Sequence, residues 1–244
     1  MRMSRVNVLG VDFDAYTQSE FIQIFMNRLS QHQGSFVVTA NPEIVMYAKE
    51  HRDYAQILAE ADFVTADGIG VVTGAQMLNT PLPERVTGFD TMTALLAQAN
   101  QAHLTVALIG AKQTVNDQAV ANVTKQYPNL TVVYAHDGYF GLDDQAVSDA
   151  VIAAQPDMIF AALGFPKQEQ FLLALKPHLP QAFMMGVGGS FDVLAGAVKR
   201  APKWVQRVHM EWAYRLVKNP SRLPRMLVLP RFLAAVRQEA KAQS

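Results

Sequence analysis

Short apolar, β-branched runs recur along the chain: Val6–Leu9, Phe36–Thr39, Phe63–Ala66, Thr105–Ile109, Thr131–Tyr134, Met158–Ala162 and Phe183–Val187. Each has the length of a strand and no polar alternation, as expected of strands buried on both faces. Between most of them lie segments with helical spacing, at Ser19–Leu29, Glu43–Leu58, Thr91–Ala99, Val115–Gln126, Gln145–Ala154 and Gln168–Leu175. Thr114 and Asp143 precede two of these as N-caps. Strands alternating with helices of this size predict an α/β fold with a mostly parallel sheet and helices on both faces. In such sheets a ligand sits at the carboxyl ends of the strands.

The pattern changes after Asp192. Pro202 opens a helical stretch through Val217, Asn219-Pro220 stops it, and Pro224 opens a second that runs to about Ala240. This predicts a body over residues 1–196 and a helical C-terminal appendage over residues 197–244. Charge divides at the same place. From Val198 onward there are eleven Lys and Arg against two acids, a net +9, while the rest holds ten bases and nineteen acids, a net −9. A basic tail on an acidic body points to an anionic partner such as phosphate or lipid headgroups, or to the tail docking on its own body. The tail has no recognised nucleic-acid motif. There is no cysteine, no apolar run near the roughly 20 residues of a membrane span, and no signal-peptide core behind Arg2 and Arg5. A cytoplasmic protein is expected.

The strands are followed by small and polar residues that a parallel sheet would bring to one rim. These are Ala40-Asn41-Pro42, Asp67-Gly68, His136-Asp137-Gly138-Tyr139, Gly164-Phe165-Pro166-Lys167-Gln168-Glu169 and Gly188-Gly189-Ser190. Glycines there admit close backbone approach, and helix N-termini favour phosphate, so a nucleotide-type ligand fits. The Gly186-x-Gly188-Gly189-Ser190 run is an incomplete dinucleotide fingerprint: Phe191 takes the place of the third glycine, and no ribose-binding acid lies about 20 residues on. Asp12-Phe13-Asp14 has the form of a metal-binding Asp-x-Asp, but turn and cap carboxylates are the simpler reading. No spacing elsewhere suggests a closed metal site. Asp67 reads equally as a base facing the rim or as the N-cap of a helix from Ile69.

Taken together and in order, these stretches resemble the WecG/TagA/CpsF glycosyltransferases, most closely the TagA branch. The resemblance rests on Thr39-Ala40-Asn41-Pro42-Glu43, Ala66-Asp67-Gly68-Ile69-Gly70, Arg85-Val86-Thr87-Gly88-x-Asp90, Gly138-Tyr139-Phe140, Leu163-Gly164-x-Pro166-Lys167-Gln168-Glu169, Gly186-Val187-Gly188-Gly189-x-Phe191-Asp192, and Arg200-Ala201-Pro202-x-Trp204 with Glu211-Trp212. It spans about residues 5 to 232. It implies a Rossmann-like body with a C-terminal appendage, and inverting transfer of N-acetylmannosamine from a UDP donor to undecaprenyl-diphosphate-linked N-acetylglucosamine, without a metal or other cofactor. The product would be the linkage disaccharide of wall teichoic acid. Another branch uses the uronic acid form of the donor sugar.

The resemblance implies Asp67 as base, with Arg85 and Gln168 on the donor. Thr39 and Asn41 would hold the sugars, Tyr139 and Asp192 would lie around the uridine, and Gly138 and Gly188 would also contact substrate. Lys167, Arg215, Arg222 and Arg225 would meet the phosphates. The tail is basic and amphipathic, with Leu229, Phe232 and Leu233 among its apolar residues. It is suited to lie on the inner face of the membrane, to pack on the body, or to join subunits of a homo-oligomer.

Overall fold

The computed structural model describes residues 5–202, Val205 and residues 227–242. Arg5–Val8 (β1) and Val11–Asp14 (β2) form an antiparallel hairpin apart from the main sheet. The main sheet has six strands: Ser35–Ala40 (β3), Phe63–Ala66 (β4), Thr105–Gly110 (β5), Thr131–His136 (β6), Met158–Ala162 (β7) and Phe183–Gly186 (β8). Their order is β4-β3-β8-β7-β5-β6, and every pairing is parallel.

The helices are Gln18–Ser30 (α1), Pro42–Glu50 (α2), Arg52–Glu60 (α3), Ile69–Met77 (α4), Gly88–Gln101 (α5), Gln113–Gln126 (α6), Gln145–Ala154 (α7), Lys167–Leu175 (α8), Ser190–Leu194 (α9) and Val228–Ala242 (α10). Strand residues alternate between two cores. Phe36, Val38, Ile109, Ile159 and Met184 face one, with α2, α3, α4, α7, α8 and α10. Val37, Leu108, Phe160 and Met185 face the other, with α1, α5, α6 and α9. Burial on both faces is why β3, β4, β5, β7 and β8 read as continuous apolar runs, while β6, at one sheet edge, is only partly buried. The fold is the expected Rossmann-like α/β layer structure with a C-terminal helix.

Several local expectations need correction. Val11–Asp14 is a strand, not a turn leading to a helix. Its carboxylates serve the hairpin: Asp12 accepts from Asn7 Nδ2 at 2.6 Å, and Asp14 accepts from Arg5 Nε at 3.1 Å and from the Val64 amide at 2.9 Å. The helix expected over Glu43–Leu58 breaks at His51, whose φ of −128° and ψ of 102° end α2 and start α3. No glycine or proline marks that break. Lys112 and Asp144, not Thr114 and Asp143, occupy the N-cap positions of α6 and α7.

The apolar face of α10 packs on the body, against α2 and α4. Phe232 and Val236 are fully buried. No helix among the described residues is long and apolar enough to cross a membrane.

Candidate functional site

Four adjacent strands, β4, β3, β8 and β7, deliver their carboxyl ends to one cavity of about 380 Å³. Thr39 is the penultimate residue of β3, and its Oγ1 donates to the Gly186 carbonyl at 3.1 Å, tying β3 to β8. Asn41 follows as the N-cap of α2, its Oδ1 accepting from the Ile44 amide at 2.9 Å. Asp67 follows β4, its own amide held by the Ala40 carbonyl at 2.9 Å. The β7 end supplies Gly164, Phe165 and Gln168, and the β8 end supplies Val187 and Gly188. Arg85 and Thr87, just ahead of α5, close one side. Arg200 and Leu229 of α10 close others.

The two readings of Asp67 now separate. The N-cap of α4 is Gly68, with no side-chain cap bond. The Asp67 carboxylate is half-buried in the cavity wall and receives a long contact of 3.5 Å from the Gly88 amide at the start of α5. The acid therefore faces the rim and does not cap the helix that follows it.

Arg200 is held by Asp90. Its Nη2 donates to Asp90 Oδ2 at 2.7 Å, its Nη1 to Oδ1, and its guanidinium lies 5.0 Å over the Phe89 ring. Burial alone would raise the Asp90 carboxyl. Hydrogen bonds from Arg200 and Thr87, with the charges of Arg200 and Arg85, outweigh it and hold the group below the usual carboxylate range. Two cationic side chains, Arg85 and Arg200, thus border a cavity that also presents two carboxylates, Asp67 after β4 and Glu43 in the first turn of α2. Among the described residues no three acidic or histidine side chains gather as metal ligands.

Six of the expected residues meet here: Thr39, Asn41, Asp67, Arg85, Gln168 and Gly188. Gly138, Tyr139, Lys167 and Asp192 do not line the cavity. Strand order explains the first two. They follow β6, which lies at the sheet edge beyond β5, about 10 Å from β7 at the usual strand spacing. Tyr139 is 74% exposed. Lys167 turns toward that same loop, donating to the Gly138 carbonyl at 2.9 Å and to the Phe140 carbonyl, with its ammonium 4.4 Å over the Phe140 ring. Asp192 lies in α9, beside α6. Arg215, Arg222 and Arg225 lie outside the described residues. Arg200, Phe165 and Thr87 stand in the quoted motifs but were assigned no role. Only tertiary pairing brings them to the site.

Behind the cavity wall, Glu169 is 1% exposed. Its Oε1 accepts from Gln168 Nε2 at 2.7 Å, while Oε2 closes no hydrogen bond. Burial pushes its carboxyl up to about 7, against the weaker opposing effects of hydrogen bonds from Gln168, its own backbone and Tyr54. Tyr54 of α3 is the neighbouring titratable group. Burial and the Glu169 charge push its phenol up, although its hydroxyl closes no bond of standard geometry. Tyr47 and His51, stacked 3.8 Å apart, lie beyond Tyr54.

The folded protein therefore keeps a proton on Glu169 to about pH 7, where the unfolded chain loses it near 4.5. Between those values the unfolded state binds fewer protons, so stability falls as pH rises. Glu169→Gln removes that slope. Relative to wild type, its unfolding free energy should rise by about 2–3 kcal/mol from pH 5 to pH 8. Denaturant titrations at both pH values check this. A pH-independent difference would show that Glu169 titrates normally.

Residues 6–244 match the Glycosyl transferase WecG/TagA/CpsF family. A protein of Bacillus spizizenii named N-acetylglucosaminyldiphosphoundecaprenol N-acetyl-beta-D-mannosaminyltransferase is 42% identical over 216 residues, covering 88% of this chain and 84% of its own. Proteins of the same name from Bacillus subtilis and Staphylococcus aureus are 40% and 37% identical, over 87% and 94% of this chain and 83% and 91% of theirs. With that match along nearly its whole length, the chain belongs to the WecG/TagA/CpsF family of glycosyltransferases.

Proposed function

We propose that this glycosyltransferase moves N-acetylmannosamine from a UDP donor to N-acetylglucosamine carried on undecaprenyl diphosphate, making the linkage disaccharide of wall teichoic acid. The names of its relatives support the acceptor and the sugar. The observation that carries the chemistry is the Asp67 carboxylate, set at the end of β4 and free of any helix-capping role, in a cavity shared with Thr39, Asn41, Arg85 and Gln168.

Inversion is one in-line displacement. The acceptor hydroxyl oxygen bonds to the anomeric carbon as the bond to the β-phosphate oxygen breaks. The hydroxyl proton passes to Asp67, and UDP leaves with the electron pair. The hydroxyl is far too weak an acid to ionise alone, so the base must stand within hydrogen-bond reach. UDP gains negative charge as it departs. Arg85 and the Gln168 amide, which both line the cavity, are proposed to meet it, and preorganised donors of this kind are effective without a metal. Arg215, Arg222 and Arg225 of the appendage are proposed to add to the diphosphate contacts. Gly138, Tyr139, Lys167 and Asp192 are left for a nucleotide portion extending past the cavity. A lipid acceptor places the enzyme peripherally on the inner membrane face, with the basic tail toward anionic headgroups.

The test is a turnover assay with UDP-N-acetylmannosamine and a lipid-linked N-acetylglucosamine diphosphate, with EDTA present and released UDP followed. Release that requires the acceptor and survives EDTA is expected, and UDP-N-acetylmannosaminuronate should give less than a tenth of the rate. Faster release with the uronate donor would move the reaction to that sugar, and loss of release in EDTA would overturn the metal-free reading.

A further inference from the structure

Gln168 and Glu169 are adjacent on α8, and adjacent helix positions normally point apart. Here their side chains are joined at 2.7 Å, both essentially buried, at 4% and 1% exposure. The Gln168 amide is pinned at both ends. Its Oε1 accepts from the Gly188 amide at 3.0 Å, and a backbone N–H can only donate, so the oxygen must lie there. Its Nε2 therefore faces Glu169, which accepts. A third restraint is Gly186, where a Cβ would stand 2.6 Å from Gln168 Nε2 and 2.8 Å from Cδ. The amide lies flat on that glycine, whose carbonyl also receives Thr39.

A buried carboxylate with one unpartnered oxygen is costly, and packing alone would be served better by an apolar side chain. Glu169 does not line the cavity and cannot touch substrate, whereas Gln168 does line it.

We infer that Glu169 is a positioning residue: from behind the cavity wall it fixes the Gln168 amide, so that Nε2 keeps its second hydrogen for an oxygen of the bound UDP-sugar. One N–H goes to Glu169, and the other serves the donor. The Glu169 Oε1 acceptor suffices for this with Oε2 protonated or not. A glutamine at 169 can therefore replace it, with its carbonyl toward Gln168 and its amide toward Tyr54. A methionine fills similar space but accepts no such bond.

The kinetic half of this inference rests on the reaction proposed above, and the spectroscopic half does not. Side-chain amide NMR of the free protein, assigned by loss of signal in Gln168→Ala, should show one Gln168 hydrogen moved downfield and slow to exchange. That signature should persist in Glu169→Gln and disappear in Glu169→Met, while the Glu169→Met melting temperature holds or rises. In turnover, Glu169→Met should lose about 10–100-fold in kcat and Glu169→Gln less than about 5-fold. On a Gln168→Ala background, Glu169→Met should cost less than about 3-fold more, because the two act as one unit. A Glu169→Met protein with unchanged amide signals overturns the inference, as do additive losses in the double variant. If wild type releases no UDP, the proposed reaction fails while the amide spectra still decide the positioning. Should Glu169→Met not fold, Gly186→Ala tests the same point, since its methyl displaces the Gln168 amide from the front; an unmoved signal there also overturns it.

Discussion

Asp67→Asn is expected to lower turnover by about 10³-fold or more while changing the affinity for UDP by less than about 3-fold. Asparagine has the size of aspartate and keeps an oxygen for the Gly88 amide, so the wall of the cavity stays as it is. The N-cap of α4 is Gly68, so no cap is lost and the melting temperature should stay near wild type. What disappears is the one group at the end of β4 able to take a proton. A general base is worth about 10²–10⁴-fold, and an amide has no basicity to replace it. The measurement pairs UDP titration calorimetry with acceptor-dependent UDP release. Turnover within about 10-fold of wild type would remove Asp67 as the base. A parallel loss of UDP affinity would make it a binding residue instead.

Asp67 also illustrates what could be read in the sequence and what could not. Strands β3, β4, β5, β7 and β8 were legible because burial on both faces makes them short, continuous apolar runs, and Phe63–Ala66 matches β4 residue for residue. The acid after that run was visible, but its direction was not. A base and an N-cap look alike until the cap is seen to be Gly68. Val11–Asp14 was harder. Its alternation of apolar and acidic residues is the mark of a half-exposed strand, yet over four residues it also reads as a turn with capping carboxylates.

The break at His51 carries no glycine or proline, so periodicity ran through it. Strand order is a property of the whole chain. Local pattern placed every strand end on one rim, and only the order β4-β3-β8-β7-β5-β6 shows that Asn41, Asp67, Gln168 and Gly188 are neighbours while Gly138 and Tyr139 stand apart. Glu169 was quoted only as part of a motif, because nothing in a sequence says that a carboxylate is buried behind a wall. The appendage was legible as amphipathic helix, but which surface its apolar face meets was not.

That surface yields the second large effect. Phe232 is fully buried, and its ring lies against Gly74 of α4 so closely that a Cβ there would stand 3.0 Å from two ring atoms. One turn toward the N-terminus, Leu229 lies against Gly70, as Pro42 does, and forms part of the cavity wall, and Val236 extends the same face. The exposed Arg231–Glu50 pair at 3.4 Å adds little by comparison. Phe232→Ala removes the largest anchor, at a cost of about 3–5 kcal/mol. A 15-residue helix is marginal in water without such packing, so α10 should undock while the six-stranded body stays folded. Trypsin cleavage at Arg231, Arg237 and Lys241 should accelerate by more than about 30-fold, and KM for the donor should rise as Leu229 leaves the cavity. Both are read on the full chain, with far-UV circular dichroism reporting the body. Cleavage as slow as in wild type would mean that α10 holds its place without the Phe232 ring. Fast cleavage with an unchanged KM would mean that Leu229 borders the cavity without shaping what binds there.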